Sequence, residues 1–239
     1  MSELLQVRGL DRFYRSGERT LEVLCGLDLT VEPGEMVAIV GESGVGKSTL
    51  LHLLGALDQP TAGSYVFEGR EMFGRTSDDL ARFRNHRIGF VFQFHHLLPE
   101  FSALENVTIA GLIGRMSPRD AREKALGLID ELGVGGRRDH LPSQLSGGEQ
   151  QRIAIARALM TAGSLLLADE PTGNLDTGTA GRVFGTLRGC VKSRRISVVM
   201  ATHNERLALE CDRTLLLRGG VLLPMNAAPG GPRQEMARP

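Results

Sequence analysis

Apolar positions along the chain fall into short runs whose spacing alternates between strand-like and helix-like. Residues 4–8 and 27–31 alternate apolar and polar as half-buried strands do. Met36–Val40, Ile88–Phe92, Ser164–Ala168 and Ile196–Met200 are nearly continuous apolar runs, which predicts buried strands. Shorter strands are expected at Ser64–Glu68, Arg213–Arg218 and Gly220–Leu223. Helical spacing predicts helices over 48–57, Asp78–His86, Ala103–Gly114, Pro118–Leu132, Gly148–Met160 and 177–190. Ser117-Pro118 is a strong start for one of them, with proline at the first position and Asp120 and Glu123 near the positive helix end. Turns are expected at Ser16-Gly17-Glu18, Pro33-Gly34-Glu35 and Gln59–Gly63.

Strands and helices alternate except over 94–162, where only helices are predicted. The expected organisation is an α/β domain spanning 1–225 with a helical lobe inserted at about 94–162. The Pro/Gly/Ala-rich stretch 226–239 has the composition of a disordered tail. Lys plus Arg and Asp plus Glu are both 28, so the charge balance gives no reason to expect a nucleic-acid partner. The basic run in 78–87 (Arg82, Arg84, His86, Arg87) is expected to be a solvated face. Three widely spaced cysteines (Cys25, Cys190, Cys211), with no Cys-x-x-Cys, suit reduced structural thiols. No apolar stretch approaches the roughly 18 residues of a spanning helix.

The richest chemistry follows the strand 36–40. Gly41, Glu42, Ser43, Gly44, Val45, Gly46, Lys47, Ser48 and Thr49 contain the pattern G-x-x-x-x-G-K-[ST] between a predicted strand and a predicted helix. The glycines let successive backbone N–H groups curl around a polyphosphate, and the helix start adds its free amides and positive dipole end. Lys47 is placed to reach the β- and γ-phosphates, and the Ser48 hydroxyl to ligate Mg²⁺. Downstream, the apolar strand at 164–168 exits into Asp169 and Glu170. Beside a phosphate loop, Asp169 suits Mg²⁺ held through water, and Glu170 suits polarisation of the water that attacks the γ-phosphate. Gln93 ends another strand, where it either reaches metal and water or lies on the surface. Tyr14 is either an aromatic for stacking on adenine or one packed at a sheet edge.

Leu145-Ser-Gly-Gly-Glu149 opens a helix and offers a second anion-binding N-terminus. One triphosphate does not need two such ends in one chain, but two chains facing head to tail would use both. Together these motifs resemble the ATP-binding-cassette (ABC) family, whose signature LSGGQ carries Gln where this chain has Glu149. The resemblance covers residues 1 to about 223. It implies a P-loop NTPase fold: a RecA-like core with an antiparallel β portion and a helical subdomain. It implies ATP and Mg²⁺ as cofactors and a homodimer of ATPase subunits. By matching motif, Tyr14 corresponds to the adenine-stacking aromatic, Gly41–Thr49 to Walker A, Gln93 to the Q-loop and Asp169 and Glu170 to Walker B and the catalytic glutamate. Ser146, Gly147 and Gly148 correspond to the signature donors acting on the partner's nucleotide, and Asn174-Leu-Asp176 to the D-loop. His203 corresponds to the switch histidine; Asn204 stands where many relatives have Asp.

Within the family, Gln93–Val107, Leu51–Asp58 and Ala168–Asp176 most resemble the ATPase subunits of the lipoprotein-releasing complexes of Gram-negative bacteria. That implies a peripheral protein on the cytoplasmic face of the inner membrane, joined to integral membrane subunits. The segment His95–Phe101, with Leu97, Leu98, Pro99 and Phe101, would receive a helix of those subunits; the alternative is ordinary lobe packing, which accounts for Leu97 and Leu98 but less easily for the whole cluster. Other readings are a related macrolide or peptide exporter, a cell-division complex, or a soluble non-transport ABC protein.

Overall fold

A computed structural model describes residues 3–16 and 19–225. Most of the predicted turn at Ser16-Gly17-Glu18 and the whole of 226–239 lie outside the described residues. The six-stranded sheet carries the fold, in the order β10 (Val221–Pro224), β9 (Arg213–Arg218), β3 (Met36–Val40), β8 (Ser197–Ala201), β7 (Leu165–Asp169), β6 (Ile88–Val91). From β9 to β6 neighbouring strands are parallel, and only the edge pair β9–β10 is antiparallel.

Strand alternation sends the side chains of this sheet to two different cores. Val37, Ile39, Leu165, Leu167 and Val199 join one cluster with α1 (Lys47–Leu54) and the antiparallel sheet. Met36, Ala38, Val40, Leu166, Ala168, Val198 and Met200 join the other, with α5 (Gly147–Thr161) and α6 (Thr177–Arg194). Burial on both faces is why these strands read as unbroken apolar runs. The lobe helices α3 (Ala103–Ile113) and α4 (Pro118–Glu131) extend the second cluster, so the lobe and the sheet share one apolar core. No strand occurs within 94–162.

The second sheet is antiparallel, in the order β2 (Arg19–Val31), β1 (Leu5–Ser16), β4 (Ala62–Phe67), β5 (Arg70–Glu71). Its first two strands are much longer than the alternation at 4–8 and 27–31 predicts. Register shifts near Val7/Leu10 and Arg12/Phe13 reset the alternation, so the pattern breaks although the pairing continues. Tyr14 therefore lies inside β1, paired with Leu21, rather than between two strands. The helix at 177–190 also runs further, to Arg194, because Cys190 and Val191 remain buried and Lys192 and Arg194 suit its negative end. The helix expected over 48–57 stops instead at Leu54, with Gly55 as its cap. The basic helix α2 (Ser77–Arg87) buries none of its residues, as a solvated face should. A four-residue helix, α7 (Glu205–Ala208), was not expected and is too short for a periodic signal. All three cysteines are free thiols.

Candidate active site

The site forms where the parallel strands end. Ala201 of β8 lies in register with Ile39 of β3 and with Asp169 of β7, so the loops after three strands leave the sheet at one level. β6 pairs with β7, and Gln93 follows it two residues after Val91.

β3 passes through the glycine-rich loop directly into α1. Gly46 caps that helix at φ 113°, where a side chain is strained, and a Cβ there would lie 2.8 Å from Val23 Cγ1. No side chain caps α1, which leaves its first-turn N–H groups available to an anion. Lys47 is buried, and its ammonium donates to the carbonyls of Gly41 at 2.8 Å and Glu42 at 2.9 Å.

These elements enclose a cleft of about 450 Å³ lined by Ser43, Gly44, Gly46, Lys47, Ser48, Thr49, Gln93, Asp169, Glu170 and His203. Lys47, Gln93, Glu170 and His203, the candidate catalytic set, thus face one space. Ser48, Gln93 and Asp169 bring hard oxygen donors with a single carboxylate to the same space. Such a set fits Mg²⁺, which takes one or two carboxylates and fills its shell with water and phosphate oxygens. Among the described residues, no group of three or more His, Cys, Asp or Glu forms a metal site by itself.

Glu170 adopts φ 47°, an uncommon backbone for a residue with a side chain. Its N–H donates to Ala201 O at 2.9 Å and its carbonyl accepts from Gly173 N–H at 3.0 Å, which holds that conformation. One carboxylate oxygen, Oε2, accepts from the backbone N–H of His203 at 3.2 Å, and His203 Nδ1 lies 2.9 Å from the same oxygen. The two loops following β7 and β8 are therefore tied together over the cleft.

The remaining predicted residues lie elsewhere in the chain. Gly41, Glu42 and Val45 build the loop without lining the cleft. Tyr14 is 37% exposed; Arg12 covers one ring face at 4.4 Å, and the Tyr14 hydroxyl donates to Asp58 Oδ2 at 2.9 Å. Its cross-strand partner Leu21 precedes by two residues Val23, the β2 residue that packs on Gly46, so Tyr14 sits on β1, one strand away from the strand that touches the loop. Ser146 caps α5, its Oγ accepting from Glu149 N–H at 3.3 Å, and neither it, Gly147 nor Gly148 lines the cleft. Asp176 caps α6 through bonds from Gly178 and Thr179 N–H; hydrogen bonds, those of Thr179 foremost, hold its carboxyl below the usual range.

One contact was missed by sequence reading. Asn174 donates to the backbone carbonyl of Gln93 at 3.0 Å and accepts from its side chain at 3.2 Å. The two residues are 81 apart in sequence and no local spacing pairs them.

The segment after Gln93 is firmly held. Arg157 donates to the carbonyls of His95 (2.7 Å) and His96 (2.5 Å), and the buried side chain of Asn106 bonds to Leu98 and Phe101. Leu98 and Phe101 remain about two-fifths exposed, whereas Leu97 is partly buried against the core. Nearby runs a groove of about 730 Å³ with Phe90, Phe92, Ile113 and Arg157 in its walls, a feature of the lobe junction that no linear motif announces.

The sequence profile of the family described as ABC transporter matches residues 24–173, covering both the phosphate loop and Glu170. The chain belongs to the ABC transporter family. The cassette is 54% identical to the "Lipoprotein-releasing system ATP-binding protein LolD" of Geobacter metallireducens, over 92% of this chain and 98% of that protein. It is 52% identical to the protein of the same name from Gluconobacter oxydans, over 92% and 95%. Among solved structures it matches a dimeric post-hydrolysis state of the ATP-binding cassette MJ0796 bound to ADP and Pi. The TM-score is 0.86 with 34% identity, over 95% of this chain and all of that one. A second dimeric structure of MJ0796 matches equally well. The fold is thus that of a P-loop ABC cassette, and the chain is a nucleotide-binding ATPase of the ABC type.

Proposed function

We propose that this cassette is the ATP-hydrolysing subunit of a complex that releases lipoproteins from the bacterial inner membrane towards the outer membrane. The observation that carries the ATPase half is the single cleft holding Lys47, Ser48, Gln93, Asp169, Glu170 and His203 at the ends of parallel strands. The lipoprotein half is supported by near-complete alignment, at about half identity, with proteins named for that system.

In this reading the loop amides and Lys47 bind the triphosphate, and Ser48, Gln93 and Asp169 are the residues that would hold its Mg²⁺. That ion would neutralise charge building on the phosphate oxygens. Glu170 orients and polarises the attacking water, and His203, anchored to Glu170, reaches the γ-phosphate. Catalysis is then mainly positioning and charge stabilisation. Tyr14 offers its free ring face to adenine. Ser146, Gly147, Gly148 and Asp176, away from the cleft of their own chain, serve the nucleotide of a second copy in a head-to-tail homodimer. The dimeric state of the MJ0796 cassettes supports this assembly.

Among the described residues no helix is long and apolar enough to cross a membrane. On the strength of the lipoprotein-releasing relatives, we place the cassette peripherally on the cytoplasmic face of the inner membrane, bound to integral membrane subunits of the LolC/LolE kind. Leu98, Pro99 and Phe101, held up by Arg157 and Asn106, would meet a helix of those subunits.

Co-purification from detergent-solubilised membranes tests this assignment. The tagged cassette is expected to retain integral membrane subunits that bind lipoproteins. An anchor buried in the complex contributes about 1.5–3 kcal/mol, so Leu98→Asp or Phe101→Asp should weaken assembly by roughly tenfold or more. The free subunit should keep its melting temperature and its ATP binding, because both side chains are already partly exposed there. Unchanged recovery of the membrane subunits would remove the segment from the interface. A collapsed melting temperature would mark it as packing.

A further inference from the structure

Glu149 replaces the family's glutamine at the start of α5, and the structure shows what holds it. Its Oε2 accepts from the Ser146 N–H at 2.8 Å and from the Ser146 hydroxyl at 2.9 Å. Its Oε1 lies 2.8 Å from Nε of Arg137, which ends a short 3-10 turn, Gly135–Arg137, elsewhere in the helical lobe. The Arg137 guanidinium, aided by the bonds from Ser146, lowers the carboxyl pKa to about 2. A permanent anion therefore stands at the helix end, bonded to the hydroxyl that the proposed dimer turns towards its partner's γ-phosphate. The helix amides attract that phosphate and the carboxylate repels it.

We propose that Arg137 is a positioning residue for closure of the ATP-loaded pair, acting through Glu149. Its charge offsets the carboxylate's repulsion of the incoming phosphate, and its grip on Oε1 keeps the Ser146 hydroxyl at the helix end. Glutamine at 149 would need no such cation, so the effect of Arg137 depends on the residue at 149. This rests on the reading of Ser146 as facing the partner's nucleotide.

The test uses the full chain carrying Glu170→Gln, in which slowed hydrolysis is expected to let closed pairs persist, and measures the ATP concentration for half-maximal association by light scattering. Arg137→Ala is expected to raise it about three- to fivefold, the upper part of the range for an exposed ion pair. Arg137→Lys should recover part of the loss. In a Glu149→Gln background the same Arg137→Ala change should have less than about a twofold effect. No shift with Arg137→Ala, or an equal shift in the Glu149→Gln background, overturns the proposal. Weakened ATP binding to the unpaired chain also overturns it, because that would mark Arg137 as structural. Ser146→Arg separates the two readings. If it abolishes association, only the role of Arg137 is in question; if association survives it, the partner-facing reading falls and this proposal with it.

Discussion

Replacing Glu170 by Gln is expected to leave MgATP binding intact and to slow hydrolysis by about 10²–10⁴-fold, the usual worth of a general base. The geometry concentrates that role in one side chain. Glu170 lines the cleft with Lys47 and Asp169, and it alone among the acids there is bonded to His203. Its left-handed backbone is held by bonds to Ala201 and Gly173, so the carboxylate is aimed by the fold rather than by a flexible loop. Gln keeps the shape and the bond from the His203 N–H but cannot accept the water's proton. Single-turnover ATP hydrolysis by the reconstituted complex measures the effect, and turnover at the wild-type rate would remove Glu170 from the catalytic step.

The second large effect is expected from mixing two inactive chains. Lys47→Ala removes the proposed phosphate-binding cation of one chain, and Ser146→Arg is designed to block the proposed partner-facing helix end of another. Each homodimer carries its lesion in both sites and should lose about 10²–10³-fold in activity, the cost of removing a transition-state donor. In a head-to-tail mixed pair both lesions fall on one composite site, and the other site is intact. Mixed preparations should therefore regain ATPase activity well above either parent. If they never do, and single-site hydrolysis is shown to be possible in the complex, the shared-site arrangement fails. The placement of Ser146, Gly147 and Gly148 away from the cleft of their own chain motivates the experiment.

The parallel strands were legible because burial on both faces leaves little but apolar residues between the turns. The cleft was legible because phosphate binding demands glycines, a lysine and a helix start in adjacent positions, and these survive as a linear pattern. The antiparallel sheet was only half visible: bulges in β1 and β2 reset the alternation, and Tyr14 was placed outside the strand that contains it. Contacts made by residues far apart left no local trace. Asn174 with Gln93, Arg137 with Glu149 and Arg157 with the carbonyls of His95 and His96 are pairings that no motif spacing gives, even where a motif singles out one of the partners. Leu97 and Leu98 show the same limit at finer scale. They look alike in sequence, yet one is partly buried against the core and the other is exposed.

The central claim, that hydrolysis in this cleft drives lipoproteins out of the inner membrane, is tested most directly with the purified complex in lipid vesicles loaded with a lipoprotein. ATP should move lipoprotein from the vesicles into the soluble fraction together with an acceptor protein, and Glu170→Gln should abolish that release while the complex stays assembled. A complex that hydrolyses ATP at full rate while the lipoprotein stays in the vesicles, or that releases it equally with Glu170→Gln, would contradict the account.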